Sequence, residues 1–346
     1  MTETQSTTTL HPLEVQELLE QFISNKKTVM ITGTPGSGKT CIVSQTAENL
    51  GYDLVISHPA IQSPTDYRGM PVYAAQEDRA KFMPYEALER LVTTDKPTIF
   101  FLDDFGQSLP SVQAAIQNLL SSRQIGDHKI SDKVVFVIAT NDRKQGANVS
   151  GVLSTIKSRC ASIINLETDA QHWLHWATQN GIAPEVTGFI RLRPELLSQF
   201  TVSNELVNFP CPRTVENLSD ILKMKFSSNI IKVAAIAGAV GEAFCLEFTS
   251  FLTVFNNIVS PDYILTNPET AEIPDNPSVI FAVTSALAYR ANKSNLQAIM
   301  TYGDRFSSDM VDYVVKMIEK DTMSRHPELK ETSEYLSWVV KYQEHL

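Results

Sequence analysis

Residues 33–40 read Gly-Thr-Pro-Gly-Ser-Gly-Lys-Thr, the G-x-x-x-x-G-K-[ST] spacing of a loop that wraps phosphate. Such a loop constrains the chain on both sides. It needs a buried strand in front, and Thr28-Val29-Met30-Ile31-Thr32 is a short, β-branched, apolar run suited to a parallel sheet. It needs a helix behind, and Thr40 to Asn49 has helix-forming composition with Gly51 placed as its C-cap. The glycines let backbone N–H groups turn inward around an anion, and the helix aims its positive end at the same point. Gly33, Thr34, Pro35, Gly36, Ser37 and Gly38 are therefore the expected cradle, with Cys41 in the first turn beyond it. Lys39 is expected to reach the β- and γ-phosphates of ATP, and the Thr40 hydroxyl to ligate Mg²⁺.

The rest of the first half supplies strands at βαβ distances. Leu13, Val15, Leu18, Leu19 and Phe22 give one apolar helical face ahead of the first strand, and residues 1–12 read as a flexible N-terminus. Asp53–Ser57 reads as a second strand, followed by a Pro-, Gly- and Tyr-rich stretch from His58 to Met83 without a clear period. Thr98–Leu102 reads as a third strand, ending in Asp103-Asp104, where a parallel sheet presents its site. Asp103 is expected to hold Mg²⁺ and Asp104 to orient the attacking water. Val134–Thr140, a fourth strand, ends in Asn141, which either holds the water or γ-phosphate or serves as a helix cap. Ala161–Leu166 is the fifth. Residues 13–168 thus make one αβα nucleotide-binding domain, and residues 169–346 are dominated by helical periodicity.

Composition excludes several classes. With 29 Lys+Arg against 39 Asp+Glu the net charge is −10, which argues against broad non-specific nucleic-acid binding. The cysteines Cys41, Cys160, Cys211 and Cys245 are scattered without a C-x-x-C pair, as suits reduced thiols in a cytosol. The most apolar stretch, Val233–Gly241, is far too short for a membrane span and reads as a buried helix. His172 and His175 share a helix face beside Trp173 and Trp176 without an acidic or cysteine partner in sequence, so they read as helix surface, not a metal site.

Together these pieces resemble an AAA+ ATPase and, within that class, the MoxR family. The resemblance rests on the phosphate loop, on Phe101-Leu102-Asp103-Asp104 as Walker B and on Ala139-Thr140-Asn141 as sensor 1. Ser158-Arg159 stands at the arginine-finger position and Pro212-Arg213-Thr214 at sensor 2. Ser63-Pro64-Thr65-Asp66-Tyr67-Arg68-Gly69-Met70-Pro71, within a span near 58–83, looks like the family's helix-2 insert. Gly126–Lys133 sits where its pre-sensor-1 hairpin would be. The resemblance implies a five-stranded parallel αβα domain followed by an α-helical lid, assembled as a hexameric ring with ATP between subunits. It implies a chaperone-like remodeller of a protein client, commonly working beside a von Willebrand factor A domain partner, with no membrane. In a ring, Arg159 would reach the neighbour's site, with Arg143 the runner-up, and Asn141 and Arg213 would sense nucleotide state.

One residue departs from the family pattern. Asp104 stands where the family has Glu, one methylene longer, so its carboxylate falls back by about 1.5 Å. A displacement of that size costs on the order of 10²-fold in rate. A slow-hydrolysing switch or scaffold is therefore an alternative to the remodeller, and a nucleic-acid-directed motor is a second one. The Ser63–Val72 stretch is expected to face the pore or a partner, with its tip around Tyr67-Arg68.

Overall fold

The structure, a computed structural model, describes residues 8–76, 78–142, 151–200, 205–256, 259–306 and 308–342. The chain divides into two compact units, with the main boundary between Thr168 and Asp169. In the first, β1 (Thr9–Leu10), α1 (Pro12–Ser24), β2 (Val29–Gly33), α2 (Lys39–Leu50) and β3 (Asp53–Ser57) follow one another. A helical turn, α3 (Thr65–Arg68), leads into a hairpin of β4 (Met70–Ala74) and β5 (Arg79–Met83). Next come α4 (Ala87–Thr93), β6 (Thr98–Leu102) and α5 (Pro110–Ser122). A second hairpin, β7 (Gln124–Ile125) with β8 (His128–Lys129), precedes β9 (Val134–Asn141), α6 (Ser154–Lys157) and β10 (Ser162–Leu166).

The main sheet is parallel throughout, in the order β1-β10-β2-β9-β6-β3. Helices cover both faces, so its central strands are buried on both sides and read as continuous apolar runs. Alternate residues part company across the sheet. Met30, Phe100, Leu102, Phe136 and Ile138 pack with Val112, Ile116 and Leu119 of α5. Val29, Ile31, Phe101, Val135 and Val137 pack with Val15, Leu19 and Ile23 of α1 and with Val43 and Ala47 of α2. Connections of this kind bring the carboxyl ends of the strands to one edge, where a parallel sheet carries its ligand.

Two expectations for this unit are corrected. The five strands read from sequence are joined by a sixth, because Thr9–Leu10, assigned to a flexible N-terminus, pairs with Asn165–Leu166. The amide N–H groups of Asn165 and Glu167 donate to the Thr8 and Leu10 carbonyls at 2.8 and 3.0 Å, satisfying an edge that would otherwise lie open. The second correction concerns Tyr67, expected at an exposed tip. It is 2% exposed and belongs to the core with Leu88, Phe100 and Phe105. The exposed side chains lie one step further on, in the hairpin: Met70, Val72, Tyr73, Phe82 and Met83.

Among the described residues the second unit is helical: α7 (Ala170–Gln179), α8 (Pro184–Leu192), α9 (Pro212–Lys223), α10 (Asn229–Val240) and α11 (Glu242–Asn256) come first. α12 (Pro261–Thr266) is a short helix between α11 and the longer ones that end the unit. It is followed by α13 (Pro277–Arg290), α14 (Leu296–Gly303), α15 (Ser308–Arg325) and α16 (Ser333–Tyr342). Phe189 meets Phe244, Phe248 and Phe251 with ring centroids 5.1–5.5 Å apart, the spacing of favourable aromatic pairs. The apolar helix read as buried is in fact half on the surface. Ile236 and Val240 of α10 are buried, whereas Ile230, Ile231, Ala234 and Gly238 are exposed. His175 bonds Ser324 at 3.0 Å, and no metal-ligating cluster exists among the described residues. No described helix is long and apolar enough to cross a membrane.

If β1 is part of the sheet, deleting residues 1–10 should lower the unfolding free energy by about 1–3 kcal/mol, the worth of a few backbone hydrogen bonds. A urea midpoint identical to that of the full chain would show that the edge strand contributes nothing.

Candidate nucleotide-binding site

β2 lies between β9 and β10, so its last residue, Gly33, stands in register with Asn141 on one side and Leu166 on the other. A Cβ on Gly33 would come within 2.8 Å of the Leu166 carbonyl oxygen, which excludes any side chain there. The loop then turns through Gly36 and Gly38 with φ of +75° and +93°, a region costly for L side chains. α2 starts at Lys39 with no side chain capping its N-terminus, so the positive end of the helix faces the loop.

Five of the residues singled out in the sequence converge here. Lys39 is 6% exposed, and its ammonium donates to the Gly33 and Thr34 carbonyls at 3.1 and 2.8 Å and to Asn141 Oδ1 at 2.9 Å. A buried ammonium must be surrounded by acceptors in this way, because an unpaired one costs several kcal/mol. Asn141 Nδ2 in turn faces Asp104 Oδ1 at 3.5 Å, so the strand-tip amide stands between the loop lysine and the second acid. Thr40 Oγ1 donates to Asp103 Oδ2 at 2.7 Å, and Asp103 Oδ1 accepts from the Asp104 N–H at 2.9 Å.

Asp104 has φ +51° and ψ +32°, the left-handed region, which Asp tolerates better than most residues. The turn it starts is pinned from below: the Gly106 N–H donates to the buried Thr140 hydroxyl at 3.1 Å. In the sequence Thr140 stands out only as a member of Ala139-Thr140-Asn141, with no role of its own. Its signal, a hydroxyl one residue before the strand tip, is too weak to read without the fold.

The residues present fit a magnesium nucleotide. The Ser37 hydroxyl is buried in the cradle with no hydrogen-bond partner, an orphan that a phosphate oxygen would satisfy. Thr40 and Asp103 present hard oxygen donors side by side, the chemistry Mg²⁺ selects. Cys41, next in α2, is exposed.

Arg159 and Arg213 have partners of their own. Arg159 is exposed at the end of α6, where its guanidinium donates to Ser121 Oγ and to the Thr155 carbonyl, both neutral. Arg213 is exposed on the first turn of α9 in the second unit, within electrostatic reach of Glu216. Arg143 falls outside the described residues.

A glycine-rich loop feeding a helix at the carboxyl edge of a parallel sheet, with paired acids and a polar strand tip beside it, defines a P-loop unit of AAA+ type. Residues 29–168 match the family described as ATPase family associated with various cellular activities (AAA), so this segment is an AAA domain. Similarity to solved structures is loose. The Thermotoga maritima RuvB Holliday junction branch migration motor is 12% identical over 95% of this chain and 86% of its own, with a TM-score of 0.35. Brucella abortus NtrX in complex with ADP is 12% identical over 96% of this chain and 68% of its own, with a TM-score of 0.42. No curated protein matches the chain.

Thr140→Val keeps the shape of the side chain but removes the hydroxyl that accepts the Gly106 N–H. It should lower the unfolding free energy by about 1–3 kcal/mol. Chemical denaturation checks this, and an unchanged midpoint would mean the Asp103–Gly106 turn is held by other contacts.

Proposed function

We propose that this protein binds and hydrolyses ATP with Mg²⁺ as a MoxR-type AAA+ ring, remodelling a protein client or partner complex. The observation that carries the ATPase reading is the convergence of Lys39, Thr40, Asp103, Asp104 and Asn141 on one loop. In this reading Gly33 to Cys41 bind the nucleotide, with Lys39 placed against the β- and γ-phosphates. Thr40 and Asp103 would hold Mg²⁺, which when bound would supply positive charge against that developing on the phosphoryl group. Asp104 orients and deprotonates the attacking water, and Asn141 fixes that acid and the water relative to Lys39. Arg213 senses nucleotide state from the helical lid.

Arg159 is the residue we assign to a neighbouring subunit's site. Its exposure, and its attachment to neutral acceptors in place of a carboxylate, support a side chain available for an anion outside its own subunit. A finger of this kind is worth about 10³–10⁵ in rate. The ring is read as a hexamer located in the cytoplasm, with a von Willebrand factor A domain protein as the candidate partner. The exposed apolar side chains of the β4–β5 hairpin are the surface we assign to client or partner contact.

A second reading, a slow nucleotide switch, is favoured by Asp104 itself. Its left-handed backbone favours Asp over Glu, so the shorter acid here satisfies local geometry at the expense of reach. The two readings separate on substitution. Asp104→Asn keeps a residue at home in this backbone and should bind ATP within a few-fold of wild type while turnover falls by about 10²-fold or more. Asp104→Glu should hydrolyse at least as fast as wild type yet lose roughly 1 kcal/mol of stability to the strained backbone. Undiminished turnover in Asp104→Asn would place the base elsewhere. No measurable turnover in wild type, restored by Asp104→Glu, would favour the switch.

The trans role of Arg159 is tested by complementation. Arg159→Ala and Lys39→Ala should each be nearly inactive, and a mixture reassembled from both should recover activity. In mixed rings an intact phosphate loop then sits beside an intact finger. Co-assembled mixtures that stay inactive would remove Arg159 from the neighbour's site.

A further inference from the structure

Tyr67 presents a polar atom deep in an apolar cluster, and its partners lead in two directions. Its hydroxyl donates to Gln62 Oε1, and Ser57 Oγ, 2.8 Å from that hydroxyl and 2.7 Å from Gln62 Oε1, has one proton to give to either of them. Ser57 and Tyr67 are both buried and Gln62 is half-buried, so the two hydroxyls find their partners within this trio. Toward the candidate site, Ser57 is the last residue of β3, and its carbonyl accepts the Asp103 N–H at 2.9 Å. The residue whose carboxylate holds Thr40 therefore hangs by its main chain from the residue whose hydroxyl holds Tyr67.

Away from the site, Tyr67 is followed within two residues by Gly69, at φ +84°, where β4 begins. A Cβ on Gly69 would come within 2.6 Å of the Met83 carbonyl oxygen and 3.2 Å of Ile125 Cγ2. A Cβ on Gly126 would come within 2.6 Å of the Phe82 carbonyl oxygen. Backbone thus meets backbone where the two hairpins join, and Arg79 adds an ion pair to Asp127 at 3.5 Å. The β4–β5 and β7–β8 hairpins touch at this junction, and α3, which carries Tyr67, leads directly into β4.

We infer that the Ser57–Gln62–Tyr67 joint makes Tyr67 a positioning residue, which transmits occupancy of the Thr40–Asp103 pair to the paired hairpins. This rests on the ATP-binding reading of the site. Thr40 and Asp103 bond each other directly, and a magnesium ion held by the two would change what fixes the Asp103 carboxylate. Asp103 cannot shift its main chain without pulling on Ser57, and Ser57 cannot shift without carrying Tyr67 or breaking a buried hydrogen bond. The surface affected is the exposed apolar one, Met70, Val72, Tyr73, Phe82 and Met83.

Hydrogen–deuterium exchange on the full chain tests this, read in peptides covering 70–83 and 124–129 with and without saturating Mg²⁺–ADP or Mg²⁺–ATPγS. Nucleotide binding is measured separately by fluorescent-nucleotide titration. Wild type should show a nucleotide-dependent change in exchange of severalfold in both peptides. Tyr67→Phe keeps the ring in the core and removes only the hydroxyl. It should bind nucleotide within about threefold of wild type while losing at least half of that change. Ser57→Ala cuts the same joint from the other side, should give the same result, and stands in if Tyr67→Phe does not fold. A purely structural hydroxyl would alter exchange equally in both nucleotide states and leave their difference intact, which overturns the proposal. Wild type that binds nucleotide without any response in residues 70–83 overturns it as well. Wild type that binds no nucleotide at all defeats the ATPase reading first, and the coupling falls with it.

Discussion

A lysine ammonium held almost out of water is the constraint on which this structure turns. Lys39 meets its acceptors only because β2 and β9 run parallel and end level, Gly33 opposite Asn141. That alignment depends in turn on alternate residues of β2, β6 and β9 filling two separate apolar layers. Slip one strand by a residue and its apolar set would change faces while the strand-tip amide moved away from the ammonium. Core packing and site geometry are therefore the same requirement seen from two ends of the sheet.

Most of this was legible in the amino-acid sequence, for reasons that can be named. The phosphate loop is a local motif whose chemistry fixes its neighbours, and β6 and β9 are apolar in all but their end residues, so strand, loop, helix and acidic strand end could all be read in order. The illegible parts lacked a local signal. Thr9–Leu10 is too short to show a period and is a strand only because β10 offers an unpaired edge. The β4–β5 hairpin hides because its residues are almost all exposed, so no inside–outside alternation marks it. Tyr67 lies among polar residues, and only its tertiary neighbours show it to be core. α10 misled in the opposite sense: its composition is that of a buried helix, yet only Ile236 and Val240 are fully covered.

Asp104 illustrates how backbone and chemistry compete for one position. Glu at the end of such a strand gives reach, whereas a left-handed residue opening a turn favours a short polar side chain able to bond locally. Here the turn is tightly held by Thr140 and by the Asp103 carboxylate, which accepts the Asp104 N–H. The conformation that suits Asp is thus imposed by residues on both sides of it.

The half-covered α10 carries a consequence for how this protein behaves in bulk. Ile230, Ile231, Ala234 and Gly238 lie exposed, and Leu206, Val207 and Leu246 of the same unit are exposed as well. Apolar surface of this kind draws copies together, while a net charge of −10 holds them apart. The repulsion is screened beyond about 8 Å at physiological ionic strength, but the apolar attraction is not. Dispersion in dilute buffer therefore gives way to self-association as salt rises, and warming from the cold pushes in the same direction because apolar burial strengthens with temperature there.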